Sequence, residues 1–206
     1  AASAKATFDA VAKDLSLVAI LKDPFALTPG SKGPKQPPGS KPAYEEDLQS
    51  WAAPFMMALI NTRNIHRSNM LMGFPYGKEF VYDEMVLTGA GEKGESNAKL
   101  VMAANTEKTG PGAPKPGEGP SKEERENGFY DVLFVGEYPD GKRVLYSVKG
   151  DKDPGYGSTS KMIAETALCL AENEGEGGVT TPGAALGAKL VERLQAHAGL
   201  TFTVEG

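Results

Sequence analysis

Two short segments carry residue types suited to recognition or proton transfer. The first, NTRNIHRSN (Asn61–Asn69), packs two arginines, a histidine and three asparagines directly after an apolar run. Arg63 and Arg67 are four residues apart and share a face if the segment is helical. Two guanidinium groups on one face suit a phosphate or a carboxylate. A solvated helix end that welcomes cations is, on residue type alone, the slightly better reading. The second segment is DPGYGSTS (Asp153–Ser160). Its glycines free the backbone, Ser158 or Thr159 can cap a following helix, and exposed amides there would cradle an anion. Tyr156 lies between two glycines and can donate a proton. A strand-to-helix turn carrying a tyrosine lid accounts for the same residues equally well.

Other chemistries find less support. The glycines near Gly89 (TGAGEKG) include a G-x-G, but polar EKGES follows rather than an apolar helix, so a surface turn is expected there and not a nucleotide fingerprint. There is no GxxxxGK[ST] loop and no GxSxG nucleophile elbow. His66 and His197 fall on different predicted elements, and His197 sits near a helix C-terminus, where a capping role suffices. The single cysteine, Cys169, has no partner for a zinc or disulfide motif, and the carboxylates lack metal-ligand spacing, so no metal is expected.

The elements that would hold these segments are readable from periodicity. Phe8, Val11, Leu15 and Val18 form one helical face over Ser3–Leu21, ending before Asp23-Pro24. Thr28–Pro42 is almost all Pro, Gly, Lys and Ser, which predicts a surface loop, flexible over about 28–43. Ser50 is placed as the cap of a helix through Trp51, Phe55 and Ile60 that continues to Leu71. Alternation over Phe80–Gly89 predicts a strand with Phe80, Tyr82, Glu84 and Val86 on one side. Ala98–Ala104 suits a short helix, and about 106–127 a second flexible loop. Phe129–Glu137 and Arg143–Lys149, joined by YPDGK, predict a β-hairpin. A helix apolar nearly all round follows over Ser158–Glu172, which argues burial. Thr181 and Pro182 then open another helix, and Leu200–Val204 suits a short strand.

The composition narrows the function classes. The chain has 206 residues, a formal net charge of -5 and 24% charged residues, ordinary for a globular protein and a poor electrostatic match for nucleic acid. No apolar run reaches the length of about 20 residues that a spanning helix needs. Low cysteine content suits a reducing compartment, so a cytoplasmic place is expected, with an organellar or membrane-peripheral one as the alternative.

Taken together, LKDPFALTPG, WAAPFMMALINTRNIHRSNML, GFPYGKEFVYDE, GDKDPGYGSTSKMIAETALCLA and GGVTTPGAALGAKLVERLQAHAGLTFTV resemble successive stretches of the saccharopine dehydrogenase-like oxidoreductases, in the branch that includes trans-acting enoyl reductases. Such proteins are similar to about twice this length and begin with a Rossmann domain. The resemblance therefore implies a single substrate-side domain with returning C-terminal helices. Its fold would be α/β of the α+β kind, a mixed, largely antiparallel sheet packed against helices that often forms the dimer contact. It implies NADP or NAD as cofactor, with the segment that binds it outside this chain, so that the fragment alone is expected to be inactive. It also implies an enoyl or keto group of a lipid-like or polyketide-like substrate, and a homodimer as a further partner. On this reading Tyr156 is the candidate proton donor. Arg63, Arg67, Asn61, Asp153, Ser158 and Thr159 are the candidate substrate contacts. The competing expectation is a non-catalytic module that keeps the fold and binds a lipid or a protein.

Overall fold

The computed structural model describes residues 2–107, 118–175 and 177–205. They divide into two compact units, Ala1–Glu118 and Gly119–Gly206. The architecture is α+β, with helices and two three-stranded sheets whose strands pair antiparallel throughout.

The first unit opens with helices α1 (Ala2–Lys13) and α2 (Leu17–Lys22). The single helix expected over Ser3–Leu21 is thus broken. Asp14 Oδ1 accepts from Ser16 N (2.9 Å), a local turn that competes with helix continuation. A sheet follows, built from β1 (Ala43–Glu45), β2 (Ser50–Pro54) and β3 (Met85–Gly89) in the order β1-β2-β3. Between the last two lies α3 (Ala58–Leu71), and after β3 comes α4 (Gly91–Glu107).

Two expectations for this unit are corrected. Ser50 caps no helix: Ser50–Pro54 is the central strand, and the Ser50 hydroxyl accepts from Gly89 N (3.0 Å), tying β2 to the end of β3. Ala52 and Ala53 are fully buried there, as is Ala98 of α4. The strand expected over Phe80–Gly89 is only its second half. Before it, the Gln36 side chain does the pairing, donating from Nε2 to Phe80 O (3.3 Å) and accepting from Tyr82 N (2.9 Å). A side-chain amide thus stands in for a neighbouring strand and anchors the proline-rich loop.

The second unit holds α5 (Lys122–Asn127), β4 (Tyr130–Glu137), β5 (Arg143–Gly150), α6 (Gly157–Glu172), α7 (Pro182–Leu186), α8 (Ala188–His197) and β6 (Leu200–Val204). The expected hairpin is present, in register from Tyr130↔Gly150 to Glu137↔Arg143, with Gly141 at φ +82° in its turn. Strand β6 adds to its β5 side. Helix α5 occupies part of the stretch read as a loop, fixed by a capping box between Ser121 and Glu124; residues 108–117 lie outside the described residues. Thr181 caps α7 with Pro182 at its first position, as the sequence indicates, but Gly187 at φ +52° separates α7 from α8. The core gathers Cys169, Leu186, Leu190, Leu194, Ala198 and Leu200. Helix α6 is not buried all round: Cys169 packs inward, whereas Ile163 is 69% exposed.

Candidate functional site

The candidate residues fall into two groups, one in each unit. On α3, Asn61, Arg63 and Arg67 share a helix but have different partners. Asn61 Nδ2 donates to both carboxylate oxygens of Glu84 (3.0 and 2.9 Å). An Arg63 Nη2–H donates to Leu21 O at the end of α2, and Arg67 Nη1 donates to Leu27 O (2.8 Å). These bonds tie α3 to the segment that follows α2, where the carbonyls of a helix end otherwise lack intrahelical donors. A guanidinium has five N–H donors, so the Leu21 bond leaves others of Arg63 for a ligand.

Beneath Arg63 lies an open cavity of about 370 Å³, bounded by the end of α2, the loop through Pro24–Pro38 and the first turns of α3. Lys22, Lys35 and Arg63 line it together with Leu21, Phe25 and Leu59. Farther along α3, His66 is buried between Phe25 and Phe80, with ring centroids 4.5 and 5.7 Å away. Its Nε2 has no hydrogen-bond partner among the described residues, and burial lowers the imidazole pKa.

Sequence reading missed one pair beside this helix. Burial first, and then the charge and hydrogen bond of Glu84, push the Tyr82 phenol up to about 12. The Glu84 carboxylate beside this phenol is the one that Asn61 also holds. The signal was available: Tyr82 and Glu84 fall on one side of the alternating run, with Asn61 the only new partner required.

In the second unit, the DPGYGSTS segment forms the strand-to-helix turn before α6. The amides expected to cradle an anion are already bonded. Gly155, Tyr156 and Gly157 N–H donate to the Asp153 carboxylate at 2.9, 2.8 and 2.7 Å. The Gly157 bond foremost, with the other two amides and Arg125 assisting against a desolvation cost, holds that carboxyl below its usual range. Asp153 is thus the anion at this helix start, and neither Ser158 nor Thr159 caps it. Ser158 is fully buried, with its Oγ 2.9 Å from the Tyr130 hydroxyl, and Thr159 Oγ1 donates to Pro154 O (2.7 Å). A side chain at Gly157 would meet the Arg125 carbonyl at 2.5 Å, so the turn is packed hard against α5. Tyr156 remains 56% exposed, a phenol on a rigid turn.

The glycine-rich turn after β3 also departs from expectation. Gly89, Gly91 and Gly94 have the full G-x-G-x-x-G spacing, and they connect a strand directly to the 17-residue α4 rather than forming a free surface turn. Gly89 and Gly91 adopt φ of +98° and +62°, and a Cβ on Gly94 would lie 1.9 Å from Gly89 O. The surroundings do not fit a dinucleotide. Among the described residues strand β3 pairs only antiparallel, at the edge of its sheet, and Glu92 already places a negative charge in the first turn of α4. A Rossmann site needs a parallel βαβ crevice with the pyrophosphate at the helix start.

Comparison with known proteins bears on both units at once. A Mycobacterium tuberculosis protein provisionally named a trans-acting enoyl reductase is 34% identical over 208 aligned residues, covering 85% of this chain and 48% of its own length. The similarity is to trans-acting enoyl reductases. A Mycobacterium ulcerans protein of that name is 30% identical and one from Mycobacterium bovis 29%, with the same coverage. The chain spans about half the length of the curated relatives it matches. No family model matches the chain, and no solved structure matches it.

Proposed function

We propose that this chain is the substrate-side part of an NAD(P)-dependent reductase of the enoyl reductase kind, related to the saccharopine dehydrogenase-like oxidoreductases. The carrying observation is that the similarity to enoyl reductases runs over most of this chain but only half of theirs. On this reading the chain supplies the substrate side, and the nicotinamide nucleotide is held by a Rossmann domain outside these residues. The unsuitable surroundings of the Gly89–Gly94 turn agree with that division. A small acyl-like substrate is the expected ligand, and a homodimer the expected assembly.

Tyr156 is the proposed proton donor, because it presents a phenol to solvent on a turn that Asp153 fixes through three amides. Arg63, with Asn61 and Arg67 along the same helix, is proposed to orient the polar end of the substrate. The test uses the native polypeptide that contains this chain, assayed for NADPH oxidation with a 2-enoyl thioester. Turnover should be seen, and Tyr156→Phe should lower it by about a hundredfold or more, the usual scale for a lost general acid. Unchanged turnover removes Tyr156 from that role. No oxidation with any enoyl or keto substrate overturns the reductase reading and favours a binding module.

A further inference from the structure

We propose that the cavity between α2 and α3 binds an amphipathic anion, a short acyl chain ending in a carboxylate or phosphate. This deepens the reductase reading by naming the class of substrate, and rests on that reading only for calling the ligand a substrate.

Three cations converge on the cavity from three separate segments: Lys22 from the last turn of α2, Lys35 from the proline-rich loop, and Arg63 from α3. No carboxylate is among the described residues that line it. The acid nearest in sequence, Asp23, is turned back on its own loop, accepting from Phe25 N at 2.8 Å. Neither lysine has an ion pair among the described residues. Like charges gathered without counter-charge repel one another, an arrangement that an anion relieves.

The other side of the cavity is apolar. Phe25 and Leu21 form its wall, and Leu59, 65% exposed, stands at its mouth. Each methylene moved from water onto such a surface contributes about 0.8 kcal/mol, so a tail adds to what the head group gains. Size separates this space from a packing gap. Interior voids seldom exceed one water, as in the neighbouring cavity of about 10 Å³ beside His66. A volume of about 370 Å³ instead reaches the lower range of small-molecule sites, about 300–1,000 Å³. That favours a short chain over a long lipid.

The experiment is calorimetric titration of the whole chain with octanoate, octyl phosphate, octanol and inorganic phosphate. Saturable binding of one or both amphipathic anions is expected, and their relative affinity decides between carboxylate and phosphate. Octanol and inorganic phosphate should each bind at least about tenfold more weakly, the equivalent of about 1.4 kcal/mol. Replacing both exposed lysines, Lys22→Glu with Lys35→Glu, should cut anion affinity by a similar factor and leave octanol unchanged. Arg63 is left intact because it carries the Leu21 carbonyl, and an unchanged melting temperature certifies the double variant. Amide NMR shifts at Gln36 and Thr62 should locate the ligand. The proposal is overturned if no anion saturates the chain, if octanol or inorganic phosphate binds as tightly, or if charge reversal has no effect. None of these measurements needs a nucleotide. Failure here leaves the NADPH assay standing, and a failed NADPH assay leaves this binding result intact.

Discussion

His66 shows how much one residue's environment decides. Its Nε2 is buried without a partner among the described residues, its ring lies between two phenylalanines, and the small cavity beside it is lined by Lys32 and Lys78, both unfavourable to an imidazolium. The folded state therefore holds the neutral ring, with a pKa below that of the unfolded chain. Stability from this group is fully present above the unfolded pKa of about 6.5 and is lost as pH falls from there through the lowered folded value. The slope contributed by one such group approaches about 1.4 kcal/mol per pH unit and levels off below both values. The lowered carboxylates Asp14, Glu124 and Asp153 titrate at more acidic pH, so the window between about pH 5 and 6.5 isolates the histidine. Denaturant melts across that window should show the decline, and His66→Phe should flatten it. Because an unpaired nitrogen contributes nothing to hold the ring, the variant should be at least as stable at pH 7. A variant that keeps the full acid slope would assign it elsewhere.

Elements succeeded or failed in the sequence reading according to where their stabilising contacts lie. The hairpin at Tyr138–Gly141, the Thr181 cap and the short β6 strand carry their signals within a few residues, and all three are present. Ser50–Pro54 and Phe80–Asp83 depend on distant partners, Gly89 for the one and Gln36 for the other, which local periodicity does not encode. The candidate site divides the same way. The Asp153–Thr159 turn was visible as a turn, but its amides are consumed by a carboxylate four residues or fewer away. The cationic cavity stayed hidden because Lys22, Lys35 and Arg63 are far apart in sequence. Helix α4 gives the sharpest test at this scale. A Cβ at Gly94 would stand 1.9 Å from Gly89 O and 3.3 Å from the Trp51 ring, and the backbone atom cannot swing aside. Gly94→Ala should destabilise the first unit by about 1–3 kcal/mol, the usual cost of overpacking. Trp51 is the single tryptophan, so its fluorescence during urea unfolding reads that unit directly. An unshifted midpoint would mean that α4 does not lie this close to β3.

For the whole molecule the governing question is where a nicotinamide nucleotide would sit. The G-x-G-x-x-G spacing of Gly89–Gly94 is one answer from sequence, and the structure argues against it on two separate grounds. In a Rossmann unit the fingerprint follows a strand flanked by parallel neighbours, and the helix start is free to receive a pyrophosphate. Among the described residues β3 is an antiparallel edge strand, and Glu92 puts a charge of the ligand's own sign in the first turn of α4. Gly94 then serves close packing of α4 onto β3, the one part of the fingerprint's geometry that survives outside a parallel sheet, while Gly89 and Gly91 supply the positive φ of the turn. Titrating this chain with NADPH and following nucleotide fluorescence should accordingly give no saturable binding, and Gly91→Val should leave that unchanged. If NADPH does bind, and the valine abolishes it without shifting the melting temperature, the turn is a nucleotide site of a kind not built on a parallel sheet. The division of labour proposed for the reductase would then have to be redrawn, with substrate and nucleotide both held by this chain.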